Sequence, residues 1–122
     1  YNSNPLSLKS AIKNFDKINS KKSNKYLLIG DMLELGSHSK KLHKSIAPII
    51  NQTKIDKVFV KGKMASIIFA GISKAKKGRI LLNKSQIIEL IRKDLNNNDY
   101  LMIKASLATG FNDIVKDLKG LH

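Results

Sequence analysis

The 122-residue sequence contains no cysteine. This excludes a disulfide framework, a thiolate metal site and a cysteine nucleophile, and it fits a reducing compartment. No apolar run reaches the roughly 18 residues that a membrane-crossing helix needs, so no membrane insertion is expected, and no charged-then-apolar leader opens the chain. The GxxxxGK[ST] phosphate loop is missing, as are GxGxxG and GxSxG, so a nucleoside triphosphate is not held by a phosphate loop of this chain. Arginine is scarce. Of 23 basic residues only Arg79 and Arg92 are arginines, against 9 acidic residues and a net charge of +14. Such a charge invites a nucleic-acid reading. The lysines, however, are scattered, lack the bidentate fork of arginine, and have no interleaved aromatics on which bases could stack. A solvated lysine surface is the plainer account, and no nucleic-acid partner is expected.

What the sequence does contain is a repeating pattern. Asn4 followed by Pro5 starts a helix, because Asn caps well and Pro suits the first helical position. Leu8, Ala11, Ile12 and Phe15 then mark one helical face. Tyr26 to Ile29 is a short continuous apolar run ending in Gly30-Asp31, which reads as a buried parallel strand. Leu42, Ile46, Ile49 and Ile50 mark a second helix, kinked or shortened by Pro48. Val58 to Val60, Ile80 to Leu82 and Tyr100 to Ile103 are three further strands. Between them lie helices marked by Ala65, Ile68, Phe69 and Ile72, and by Ile88, Ile91 and Leu95, the latter capped by Ser85. Phe111, Ile114, Val115 and Leu118 mark a last helix.

A helix followed by four strand–helix units predicts an α/β fold: a Rossmann-like, open, mostly parallel sheet with helices on both faces. The first helix has no strand before it. In such a sheet a crossover helix joins two parallel strands, so a strand is expected just upstream of Tyr1. The absent initiator Met agrees, and residues 1–122 are expected to be one domain of a longer protein.

Ligands of these sheets bind beyond the carboxyl ends of the strands. The expected rim comprises Asn2, Ser3 and Asn4, then Gly30-Asp31-Met32, Lys61-Gly62, Asn83, and Lys104-Ala105-Ser106. A carboxylate, two ammonium groups, a hydroxyl and several amides suit a zwitterion, with the cations and N–H groups meeting a carboxylate and Asp31 meeting an ammonium. The plain alternative is that Asp31 and Ser106 only cap helices or turns. His38 and His43 lie five apart rather than four and lack a third ligand, so no metal site is expected. Glu34 has the chemistry of a general base, but it falls in a loop where carboxylates are usually solvated. The residues alone describe a substrate-binding domain without a self-sufficient catalytic set.

Two stretches carry a resemblance. Tyr1 to Ala11, YNSNPLSLKSA, resembles the YNANPxSMxAA segment of the Mur ligases that add D-alanyl-D-alanine to the peptidoglycan precursor. Gly30 to Gly36, GDMLELG, is similar to their GDMxELG without a mismatch, and His38-Ser39 with Leu42-His43 continues it like HSxxLH. Val58 to Gly62 resembles their next strand, and Lys104-Ala105-Ser106 sits where they have KGS. The resemblance implies a three-domain, cytoplasmic, ATP-dependent ligase. The first domain would hold the UDP-N-acetylmuramoyl-tripeptide. The central one would hold ATP and Mg2+. The C-terminal domain, this chain, would present D-Ala-D-Ala and be inactive by itself.

It further implies that Asn2, Ser3 and Asn4 line the dipeptide side of the cleft, and that Asp31 orients the amine or a neighbouring basic group. Ser106 would bond the dipeptide carboxylate, and Lys104 is a second candidate for the same anion. The sequence departs from the pattern after Ser106, where Leu107-Ala108 replaces Arg-Gly, removing a charged donor. Two other readings compete: a stand-alone basic α/β module binding nucleic acid or another polyanion, and a related ligase with a different amino substrate. The GDMLELG match argues against the second.

Overall fold

The computed structural model describes residues 4–105. The expected last helix and Asn2, Ser3 and Ser106 lie outside them. Five helices and four strands alternate: α1 (Pro5–Asp16), β1 (Lys25–Gly30), α2 (Ser39–Lys44), α3 (Ile46–Asn51), β2 (Lys57–Lys61), α4 (Ala65–Gly71), β3 (Lys77–Ile80), α5 (Lys84–Glu89) and β4 (Tyr100–Lys104). Short 3-10 turns precede α2 and β3, and α5 runs on into a π turn over Leu90–Asp94. The strands form one parallel sheet in the order β3-β2-β1-β4.

Local chemistry explains most of the boundaries. The Asn4 side chain accepts the Ser7 N–H at 2.9 Å and Pro5 opens α1, as expected. The far end of α1 is closed by Lys25, which is only 3% exposed and donates from Nζ to the Asp16 carbonyl at 2.6 Å. A cation is favourable at a helix carboxyl end. The helix expected across Pro48 is two helices, α2 and α3, meeting at Ser45. Proline has no N–H to offer the Lys44 carbonyl four residues back, so the ladder breaks there.

The third strand is displaced from its expected place. It runs over Lys77–Ile80, not Ile80–Leu82. Leu81 is the last residue tied to β2, its N–H donating to the Val60 carbonyl at 2.7 Å, and Leu82 is 74% exposed. Among the described residues β3 is an edge strand, and edges carry charge rather than an apolar run. The cap of α5 also differs: Asn83, not Ser85, accepts the Gln86 N–H at 3.0 Å.

The sheet divides two cores. On one face α1 to α4 cover Leu27, Ile29, Val58 and Val60 with Leu8, Ile12, Ile46, Ile50 and Ile68. On the other, Leu28 and Phe59 pack with Leu81, Ile87 and Leu90 from the α5 side. The helices α3 and α4 approach so closely that a Cβ on Gly71 would lie 2.8 Å from the Ala47 Cβ. Gly71→Ala is therefore expected to overpack this contact and lower stability by about 1–3 kcal/mol. Thermal denaturation checks it, and an unchanged midpoint contradicts it.

Candidate functional site

An all-parallel sheet gathers the carboxyl ends of its strands along one rim. Gly30 of β1 pairs beside Lys61 of β2, so Asp31 and Gly62 leave the sheet side by side. Asp31 Oδ1 accepts the Ala65 N–H at 2.7 Å, holding the first turn of α4 from the neighbouring strand tip. Gly62 makes this possible. Its φ of +121° is a left-handed value, and a Cβ there would run into the Asp31 carboxylate, 2.6 Å from Cγ. The Gly62 carbonyl accepts from Ser66 twice, from the backbone N–H at 3.0 Å and from Oγ at 2.8 Å.

The residues after Asp31 are pinned from α2. The Met32 N–H donates to His43 Nε2 at 2.9 Å, and His43 Nδ1 lies 2.7 Å from the Ser39 carbonyl. Because Nε2 accepts, the ring proton sits on Nδ1 and is donated to Ser39. Both ring nitrogens are thus occupied, which leaves His43 no lone pair for a metal. His38, its supposed companion, is exposed. Glu34 is exposed and has φ 63°, a costly backbone conformation for a residue with a side chain.

The remaining expected site residues are placed as follows. Lys104 ends β4, paired beside Ile29 of β1 and half-buried, which puts it on the rim one strand from Asp31. Asn4 is exposed, and its side-chain oxygen is engaged in capping α1. Asn2, Ser3 and Ser106 lie outside the described residues. Asp31 combines the two readings: Oδ1 is a helix cap, while Oδ2 accepts no hydrogen bond from another described residue. Sequence reasoning missed His43 as a structural member of the site. The signal was present, because His43, Ile46, Ala47 and Ile50 fall at i, i+3, i+4 and i+7 and are all buried.

Beside Gly62 an open depression of about 300 Å3 is lined by Lys61, Lys63, Ser66 and Ile80 to Leu82. A larger hollow of about 510 Å3 lies at the opposite, amino ends of the strands, between Tyr26, Lys57, Phe59, Arg79 and Lys93. Its cations each have a partner: Arg79 with Asp94 at 2.7 Å, Lys93 with Glu89 at 3.3 Å, Lys57 with the Ala75 carbonyl at 3.0 Å, and Lys77 over the Phe69 ring at 5.3 Å. Burial, then the nearby Asp99 carboxylate, raises the Tyr26 hydroxyl above its ordinary value. The rim, where backbone N–H groups, a carboxylate and lysines converge, is the chemically equipped end.

Known proteins resemble this chain in sequence and in fold. The family model described as Mur ligase, glutamate ligase domain, matches residues 1–107. The UDP-N-acetylmuramoyl-tripeptide–D-alanyl-D-alanine ligase of Bacillus subtilis (strain 168) is 34% identical over 121 residues, covering 97% of this chain and 26% of that protein. The protein of the same name from Buchnera aphidicola subsp. Acyrthosiphon pisum is 32% identical over 120 residues, with 97% and 25% covered. The chain thus spans about a quarter of the length of these relatives. In fold it is similar to the MurF ligase from Thermotoga maritima in complex with ADP, with a TM-score of 0.76 at 23% identity over 95% of this chain and 26% of that one. MurF from Acinetobacter baumannii gives 0.76 at 24% identity, covering 97% and 26%.

Gly62→Ala is expected to displace the Asp31 carboxylate and lower stability by about 1–3 kcal/mol through the Cβ clash and backbone strain. Calorimetric unfolding measures this, and a wild-type midpoint would refute the close approach.

Proposed function

The chain belongs to the Mur ligase family, and we propose that it is the C-terminal domain of a three-domain enzyme, in which it presents D-Ala-D-Ala to an activated UDP-N-acetylmuramoyl-tripeptide during peptidoglycan synthesis in the cytoplasm. The observation that carries the proposal is the rim itself, where the residues that resemble GDMxELG turn out of β1 with Asp31 at the strand tip. In this reading the tripeptide carboxylate is phosphorylated by ATP on the other domains. The dipeptide amine attacks the acyl carbon, the new C–N bond forms, phosphate leaves with the electron pair of the broken C–O bond, and the amine proton is lost to a base.

The task of this chain is placement. Asp31 Oδ2 meets the dipeptide amine, Lys104 and Ser106 meet its carboxylate, and Asn2, Ser3 and Asn4 line the cleft. A dilute dipeptide becomes a neighbour held in reacting geometry. Closure of the domain excludes the water that would hydrolyse the acyl phosphate. The chain has no phosphate loop, and among the described residues no group of three metal-ligating side chains. The family resemblance assigns ATP and Mg2+ mainly to the upstream domains. No helix of the described residues is long and apolar enough to cross a membrane.

As a crossover helix, α1 would lead in from an upstream strand on a definite side of the sheet. Connections from β1 to β2 to β3 carry their helices on one face, and the return from β3 to β4 carries α5 on the other. Parallel crossovers are right-handed almost without exception. A strand entering β1 through α1, on the first face, would then come from the β4 side of the sheet.

Asp31→Asn in the full-length protein keeps an oxygen for the Ala65 N–H and removes the charge. It is expected to raise KM for D-Ala-D-Ala about 10- to 100-fold, in line with loss of a charge-assisted hydrogen bond, while KM for ATP is unchanged. Steady-state kinetics decide, and an unaltered dipeptide KM would refute the assignment of Asp31.

A further inference from the structure

Building on the reading above, we infer that His43 is a positioning residue for the dipeptide pocket, setting the Asp31 carboxylate through the backbone of Met32. His43 is fully buried. Its place on the core stripe with Ile46, Ala47 and Ile50 would be filled equally well by an aliphatic side chain. What an imidazole adds is polar and directional: Nε2 accepts the Met32 N–H at 2.9 Å, and Nδ1 donates to the Ser39 carbonyl at 2.7 Å. The ring is thus locked to α2 on one side and to the peptide after Asp31 on the other. Met32 itself is 2% exposed, so its N–H is a buried donor that would be costly to leave unmade.

The segment that follows β1 needs such a tether. Residues 31–35 lie outside any helix or strand. The segment passes through left-handed backbone at Glu34 and Gly36, with φ 63° and 60°. Two fixed points therefore determine where Asp31 stands. The Ala65 N–H holds its side chain from α4, and His43 holds the next peptide from α2. Without the second, the carboxylate can pivot about the first. Misplacement by about 1 Å in a reacting complex is enough to cost two orders of magnitude.

The test compares variants of the full-length protein. His43→Leu fills the space without an acceptor, His43→Gln restores one near Nε2, and Ile12→Ala destabilises the α1 core away from the rim. The inference predicts that His43→Leu raises KM for D-Ala-D-Ala at least 10-fold, with KM for ATP and the UDP-linked tripeptide within 2-fold of wild type. His43→Gln recovers most of the loss. Ile12→Ala, at comparable loss of thermal stability, leaves the dipeptide KM unchanged. Amide hydrogen exchange gives a readout independent of ligation: Met32 is protected in wild type and in His43→Gln and exchanges faster in His43→Leu. If His43→Leu fails to fold, the Gln variant carries the comparison through its dipeptide KM and Met32 protection. A wild-type protein that does not use the dipeptide, but shows this exchange pattern, refutes the functional reading and leaves the tether standing. A wild-type dipeptide KM in His43→Leu, a Gln variant no better than Leu, or a Met32 amide indifferent to residue 43 overturns the inference.

Discussion

The hydrogen bond from the Ala65 N–H to Asp31 Oδ1, 2.7 Å long, crosses from the tip of one strand to the helix that follows its neighbour. The rim is organised around it. It exists because β1 and β2 pair in parallel with Gly30 beside Lys61, and because Gly62 has no side chain where the carboxylate must pass. It sets where α4 begins, and with it the Ser66 contacts to the Gly62 carbonyl. A carboxylate at the start of a helix is favourable, so the arrangement stabilises the fold while keeping a negative charge at the mouth of the sheet. Only one oxygen is needed for the helix. The same residue can therefore serve structure with Oδ1 and a substrate with Oδ2.

The polar groups elsewhere follow a division of labour that clarifies the unusual charge. Several carboxylates accept from backbone N–H groups: Asp16 from Lys54, Asp56 from Lys25, and Asp99 from both Asn24 and Asn96. Lysines in turn donate to backbone carbonyls: Lys25 to Asp16 at the end of α1, and Lys76 to Thr53 and Ile55 in the loop after α3. The acids tie down turns, Lys25 closes a helix and Lys76 ties down a loop, so part of the basic excess is structural. These contacts stand at the amino ends of the strands or beneath them, which leaves the opposite rim for ligand chemistry.

Much of this was legible in the sequence, for identifiable reasons. The helix α1 announced itself through Asn4, Pro5 and the spacing of Leu8, Ile12 and Phe15. The buried strands β1 and β2 did so through unbroken apolar runs. The edge strand β3 did not, because Lys77-Gly78-Arg79 has no need to be apolar, and the Ile80–Leu82 run marks only its exit. Pro48 signalled a disturbance, but its outcome, a break at Ser45, depends on how the two short helices pack. At the site, Asp31 was visible from the motif around it. Its contact with Ala65 was not, since that requires knowing which strand lies next to β1. The structural part of His43 is not legible from histidine spacing, which bears on metal binding; it shows only in the buried stripe that His43 shares with Ile46, Ala47 and Ile50.

The central claim is that the carboxyl rim, organised by Asp31, receives the dipeptide. The most direct test is amide NMR of the full-length protein, loaded with a non-hydrolysable ATP analogue and the UDP-linked tripeptide, during titration with D-Ala-D-Ala. The account predicts saturable shifts centred on residues 30–36, 61–66 and 104–105, with the amino ends of the strands undisturbed. Shifts centred instead on Lys57, Lys77, Arg79 and Lys93, or no shift in this domain at saturating dipeptide, would contradict it.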